Sequence, residues 1–88
     1  MITRTSAVVN GLGLHARAAA RFVGVASRFR SQVRVTRGRH TTDGKSILGL
    51  LLLAAARGCA LTIVADGPDE QDAVDALCDL TARGFEDA

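Results

Sequence analysis

Gly11-Leu12-Gly13-Leu14-His15-Ala16-Arg17-Ala18-Ala19-Ala20 decides how the first half of this chain folds. Asn10 to Gly13 has the composition of a turn, and the alanine-rich run beyond His15 is helix-forming. His15 therefore stands where a glycine turn becomes a helix, with Arg17 two residues on. The first N–H groups of a helix lack intrahelical partners and carry a partial positive charge, which together suit a phosphate. A histidine there can carry a phosphoryl group, and an arginine can help to hold it. Taken alone, the same residues also fit a plain N-cap after a turn.

Upstream, residues 2–9 mix Thr and Ser with Ile2, Ala7, Val8 and Val9, and read as a strand. Downstream, a helix is expected from Ala16 to about Ser27. Ala19, Phe22, Val23, Ala26 and Phe29 recur at three- and four-residue steps and form its buried face. Arg17, Arg21 and Arg28 fall on a common opposite face and are expected to be solvated.

Val33 and Val35 alternate with polar neighbours from Gln32 to Arg37, the pattern of a half-buried strand. Gly38 and Arg39 suit a hairpin turn, with His40 to Thr42 returning as a short strand. His40 is expected to be solvated and without a special role. After Asp43-Gly44-Lys45, Ser46 is a good N-cap for a helix from Ile47 to about Ala56, with Gly58 as the residue beyond its C-cap. That helix is apolar almost all round, so a small domain must leave some of its leucines exposed. Exposed apolar patches tend to be contact sites. Ala60 to Ala65 reads as a strand. Pro68 is placed to open the last helix, with Asp69 and Glu70 in its first turn and Ala73, Val74, Leu77, Cys78 and Thr81 as its inner stripe. Gly84 closes it, and Phe85 is expected to fold back onto the core.

The order strand, helix, strand, strand, helix, strand, helix predicts a two-layer α/β sandwich, a largely antiparallel sheet with helices on one face. Order alone does not fix the strand arrangement, since a ferredoxin-like sheet and other four-stranded sheets share it.

Eighty-eight residues suffice for one domain, residues 1–88, with one modest core. Only three residues are Phe, Trp or Tyr, so Val, Ile, Leu and Ala must build that core. The net charge of +2 is unevenly spread: arginines crowd the first half and carboxylates the end. A basic front suits acidic partners or anionic ligands. Nucleic acid is poorly supported, because there is neither a basic run nor an aromatic stacking platform. Cys59 and Cys78 lack CxxC spacing and indicate neither zinc nor a disulfide framework, and no metal or other cofactor is expected. Cys78 is expected in the core. The first residues lack a signal-peptide h-region, and the run Leu50 to Ala56 is too short to span a bilayer. A cytoplasmic location without membrane insertion is expected.

Gly13-Leu14-His15-Ala16-Arg17, Lys45-Ser46-Ile47-Leu48-Gly49-Leu50 and Arg57-Gly58 before a strand resemble the HPr family. These are the histidine-containing phosphocarriers of the bacterial phosphoenolpyruvate-dependent phosphotransferase system. The resemblance runs from residue 2 to residue 85. It implies an open-faced α/β sandwich, a four-stranded antiparallel sheet in the order 1-4-2-3 with three helices on one side. It implies that His15 accepts a phosphoryl group on Nδ1 from phospho-enzyme I, that Arg17 contacts that group, and that an enzyme IIA receives it. The chain is then a stoichiometric carrier and not an enzyme. Ser46 matches the position modified by HPr kinase/phosphorylase. The expected docking surface combines Ile47, Leu48 and Leu51 with Arg17, Ala20 and Arg21. A monomer is expected.

Two departures stand out. Many members carry proline after the arginine, where this chain has Ala18, and many carry lysines on the first helix, where it has Gly24 and Ser27. The Ala-Arg-Ala-Ala-Ala run and the ending Gly84-Phe85-Glu86-Asp87 resemble the proteobacterial, nitrogen-related NPr branch. The alternative is a regulatory protein-binding module that has kept the fold; the presence of His15 and Arg17 favours the carrier. A third possibility, a basic module binding an anion or RNA, is disfavoured by the lack of aromatics.

Overall fold

Strands that alternate apolar and polar residues bury one face and leave the other to water. The computed structural model, which describes residues 1–87, follows that rule most clearly in the two central strands, Gln32–Arg37 and Ala60–Asp66, while the two outer strands hold no fully buried residue. Its elements are β1 (Ile2–Ala7), α1 (Ala16–Ala26), β2 (Gln32–Arg37), β3 (His40–Asp43), α2 (Ile47–Leu52), β4 (Ala60–Asp66), α3 (Glu70–Ala82) and a short turn α4 (Gly84–Asp87). The sheet is antiparallel throughout, in the order β1-β4-β2-β3. Val33, Val35, Leu61, Ile63 and Ala65 point inward and are buried with Phe22 and Ala19 of α1, Leu50 of α2 and Val74 and Leu77 of α3. On the other face Thr5, Thr62, Thr36 and Thr41 form one row across all four strands, exposed or half-exposed. Helices therefore cover one side only.

Several boundaries differ from the sequence reading. β1 ends at Ala7 rather than Val9, although Val8 still donates to the Cys59 carbonyl at 2.9 Å. In α1 the fully buried residues are Ala18, Ala19, Phe22 and Ala26, while Val23 and Phe29 pack at the core's edge. The helix α2 stops at Leu52 and not near Ala56. Ala54 is left-handed (φ 52°), which costs an L-residue about 1–2 kcal/mol. The reversal sinks Leu53 and Ala55 into the core and aims the Ala55 carbonyl at the Leu14 N–H, 2.9 Å away. Gly58 caps no helix; its N–H donates to the Val8 carbonyl at the start of β4's pairing.

Pro68 and Asp69 lie outside α3, which begins at Glu70. Asp69 is its N-cap residue, but its carboxylate turns away from the helix and accepts from Arg30 N (2.9 Å), Ser31 N (2.9 Å) and Ser31 Oγ (2.6 Å). Those three donors, the Ser31 hydroxyl foremost, hold its carboxyl down at about 2. The inner stripe of α3 is buried as expected, Cys78 included, and burial pushes the Cys78 thiol up.

The chain ends in a latch. Phe85 and Glu86 are both left-handed, with φ of 54° and 57°, and Phe85 is fully buried. Burying the ring is worth about 2–3 kcal/mol, which offsets much of the backbone cost. Among the described residues no helix is long and apolar enough to cross a membrane.

Candidate functional site

Asn10 opens the turn before α1 and donates from Nδ2 to the Gly13 carbonyl at 2.7 Å. Gly13 has to be glycine. Its φ is +68°, and a Cβ there would lie 2.5 Å from the Ala55 carbonyl oxygen. With Leu14 N bonded to that same oxygen, the β4 side of the molecule fixes the backbone that presents His15.

His15 is the N-cap of α1, with φ −84° and ψ −176°. Its Nδ1 accepts from the Arg17 N–H at 3.3 Å, and its carbonyl accepts from Ala19 N at 2.8 Å. An Nδ1 that accepts carries a lone pair, so the neutral ring holds its proton on Nε2. Nε2 is shielded from solvent and has no hydrogen-bond partner. The two nitrogens are thus unequal: Nδ1 faces the helix N-terminus, and Nε2 is closed off. The Arg17 side chain is exposed and pairs with no described residue, so its guanidinium is available. Ala18, in the place of the proline common among similar sequences, is fully buried without disturbing the first turn.

Ser46 caps α2 as expected, accepting on Oγ from Gly49 N at 3.0 Å. Gly49 leaves no space beside it: a Cβ there would meet Thr42 Oγ1 at 1.9 Å. Helices α1 and α2 pack on each other, so the His15 helix and the Ser46 helix form one side of the molecule. On α2, Leu48 is 68% and Ile47 43% exposed, Leu51 is half-buried and Leu50 is buried. On α1, Ala20 is exposed.

Arg21 departs from the expectation of a solvated arginine. It is half-buried and donates from Nη1 to the Phe85 carbonyl at 2.8 Å and the Glu86 carbonyl at 2.7 Å, tying α1 to the C-terminal latch. Two apolar residues of this surface escaped the sequence reading. Leu52 and Leu12 are each 76% exposed. The signal for Leu52 was hidden in a helix that was leucine on every side. Leu12 sits in a turn whose sequence signal is its glycines.

His40 begins β3 and is exposed, as expected. Cys59 is half-buried and unbridged; a hydrogen bond from Arg37 and one from the Ala56 backbone bring its thiol down.

Comparison with known proteins agrees with this fold. The family model of the PTS HPr component phosphorylation site matches residues 2–83. The phosphocarrier protein HPr of Cupriavidus necator is 47% identical over 85 residues, which cover 97% of this chain and 96% of that protein. The phosphocarrier protein NPr of Shewanella violacea is 36% identical over 87 residues, 99% of this chain and 96% of that one. Among solved structures, an HPr of Thermoanaerobacter tengcongensis superposes with a TM-score of 0.95 at 39% identity, over 100% of this chain and 99% of that one.

Proposed function

The chain belongs to the HPr family of phosphotransferase-system phosphocarriers, and from that premise we propose that His15 Nδ1 accepts a phosphoryl group from phospho-enzyme I and yields it to an enzyme IIA. The observation that carries this reading is the inequality of the two ring nitrogens, with Nδ1 at the helix N-terminus and Nε2 closed off.

In the forward step the Nδ1 lone pair attacks phosphorus in line. The bond from phosphorus to the donor breaks, and its electron pair leaves with the donor. Nε2 keeps its proton throughout. The Arg17 N–H that had held the lone pair is released as Nδ1 bonds to phosphorus, and it becomes a donor to a phosphoryl oxygen. The Arg17 guanidinium supplies a charge-assisted contact from the solvent side. His15 is only half-buried, which suits a group that two partners must each attack. No chemistry is completed on the chain itself, so it acts as a stoichiometric carrier, at work in the cytoplasm.

Docking rests on Ile47, Leu48 and Leu51, with Ala20 beside them and Arg17 at the polar rim. Arg21 contributes less than its position suggests, because its guanidinium is committed to two carbonyls. A transient complex needs only a small interface, and the carrier is a monomer between encounters. Ser46 is the site at which an HPr kinase/phosphorylase would act. A phosphate there adds roughly −1.5 to −2 charges beside Ile47 and Leu48 and so obstructs enzyme I without unfolding the domain.

Phosphorus and nitrogen NMR of the protein after exposure to phosphoenolpyruvate and enzyme I distinguishes the two ring positions. Phosphorus on Nδ1 is expected. Phosphorus on Nε2 would contradict the proposed geometry.

A further inference from the structure

A second basic cluster lies away from His15. The connection between α1 and β2, the first half of β2 and the turn between β3 and α2 enclose an open cavity of about 410 Å³. Arg30, Arg34 and Lys45 line it, with Asp43, Gln32 and Thr41. Its volume falls in the range of about 300–1,000 Å³ typical of small-molecule sites.

Two of its three cations are without partners among the described residues. Neither the Arg30 nor the Arg34 guanidinium makes a hydrogen bond or ion pair with a described residue. Arg34 stands opposite Asp43 in the β2–β3 register, but no ion pair joins them, and Asp43 Oδ1 accepts instead from Lys45 N at 2.9 Å. Lys45 Nζ donates to the Phe29 carbonyl at 2.8 Å, which fixes the ammonium at the wall and leaves two of its donors over. Three cations thus line the space with the Asp43 carboxylate, while Asp69 lies behind the Arg30–Ser31 wall and Asp66 stands opposite Gln32 in the sheet. The two guanidiniums have no partner among the described residues, and an anion entering the space would supply one.

We propose that this cavity binds a small hydroxylated phosphate monoester, its phosphate between Arg30, Arg34 and Lys45 and its hydroxyls against Gln32 and Thr41. Planar guanidiniums match phosphate oxygens two at a time, and neither Arg30 nor Arg34 has another partner among the described residues to give up. An extended nucleic-acid strand is the poorer fit, since it requires a cationic track with stacking side chains. These cations converge on one space, and no aromatic residue lines it. The site does not depend on the chemistry at His15, and its ligand is bound without being transformed.

Titration of the ¹⁵N-labelled protein at fixed ionic strength tests it, with glucose 6-phosphate as the probe and glucose and inorganic phosphate as comparisons. Saturable shifts confined to residues 30–34 and 41–45 are expected with glucose 6-phosphate, weaker binding with inorganic phosphate and none with glucose. The double variant Arg30→Gln/Arg34→Gln, whose exposed side chains support no other contact, is expected to bind at least about tenfold more weakly, the loss of a charge-assisted hydrogen bond. Arg57→Gln, remote from the cavity, is expected to bind normally. Absence of saturation, equal loss in Arg57→Gln, equal affinity for inorganic phosphate, or tighter binding of a short oligonucleotide would each overturn the proposal.

Discussion

The Arg17 backbone N–H donates to Nδ1 of His15 across 3.3 Å, two residues away along the chain. The bond is long, so the lone pair is oriented without being strongly held. Orientation comes from the backbone of Arg17, while charge comes from its side chain, and the two are separable by mutation. Arg17→Ala keeps the N–H and removes only the guanidinium. Phosphoryl transfer from enzyme I is expected to slow by about tenfold or more, the scale of a lost charge-assisted contact. The melting temperature is expected to stay within about 2–4 °C, because the side chain is exposed and unpaired among the described residues. Rapid-quench transfer kinetics beside a thermal melt measure both; unchanged transfer would remove Arg17 from the site.

Ser46 Oγ satisfies the Gly49 N–H of a helix only six residues long. Ser46→Ala is expected to lose about 1 kcal/mol in urea unfolding, the usual worth of a helix cap. Ser46→Asp keeps an acceptor and adds negative charge. It should unfold near the wild-type midpoint while accepting phosphate from enzyme I more slowly. A destabilised Ser46→Asp with normal transfer would reverse that assignment.

Arg21 holds the carbonyls of two left-handed residues, Phe85 and Glu86, over the buried Phe85 ring. Arg21→Ala is expected to cost about 1–2 kcal/mol of stability through those two bonds. Hydrogen exchange should quicken first at residues 84–86. A surface arginine serving partners alone would leave stability untouched and change only transfer.

Asp69 titrates in the folded chain at about 2, below the roughly 3.9 of an unfolded aspartate. A depressed carboxylate stabilises the fold fully above about pH 4, and that share is lost as pH falls towards 2. Asp69→Asn is therefore expected to melt lower at pH 7 and to lose less on acidification over that window. Melting curves of both proteins from pH 7 to pH 2 check it; parallel curves would mean that the Ser31 and Arg30 contacts do not bind the ionised form more tightly.

Much of this was legible beforehand, and the failures share a cause. The alternation of Val33 and Val35, the stripe Ala73–Val74–Leu77–Cys78 and the caps at His15 and Ser46 depend on neighbours in sequence, and all appear where periodicity placed them. The early end of α2 depends on a partner 41 residues away, the Leu14 N–H that draws the Ala55 carbonyl. No local pattern announces a left-handed alanine. Arg21 and Asp69 were read by the helix face or turn they occupy, but their side chains are committed to residues 64 and 38 positions distant. The shielding of Nε2, which separates the two ring nitrogens, is likewise a product of packing and has no signature in the order of residues.

The most direct test of the carrier role is intact mass after mixing the protein with phosphoenolpyruvate, magnesium and enzyme I, beside His15→Ala. One acid-labile phosphoryl addition, absent from a folded His15→Ala variant, is the expected result. No addition to the folded wild-type protein, with an enzyme I that phosphorylates another HPr in the same mixture, would contradict it.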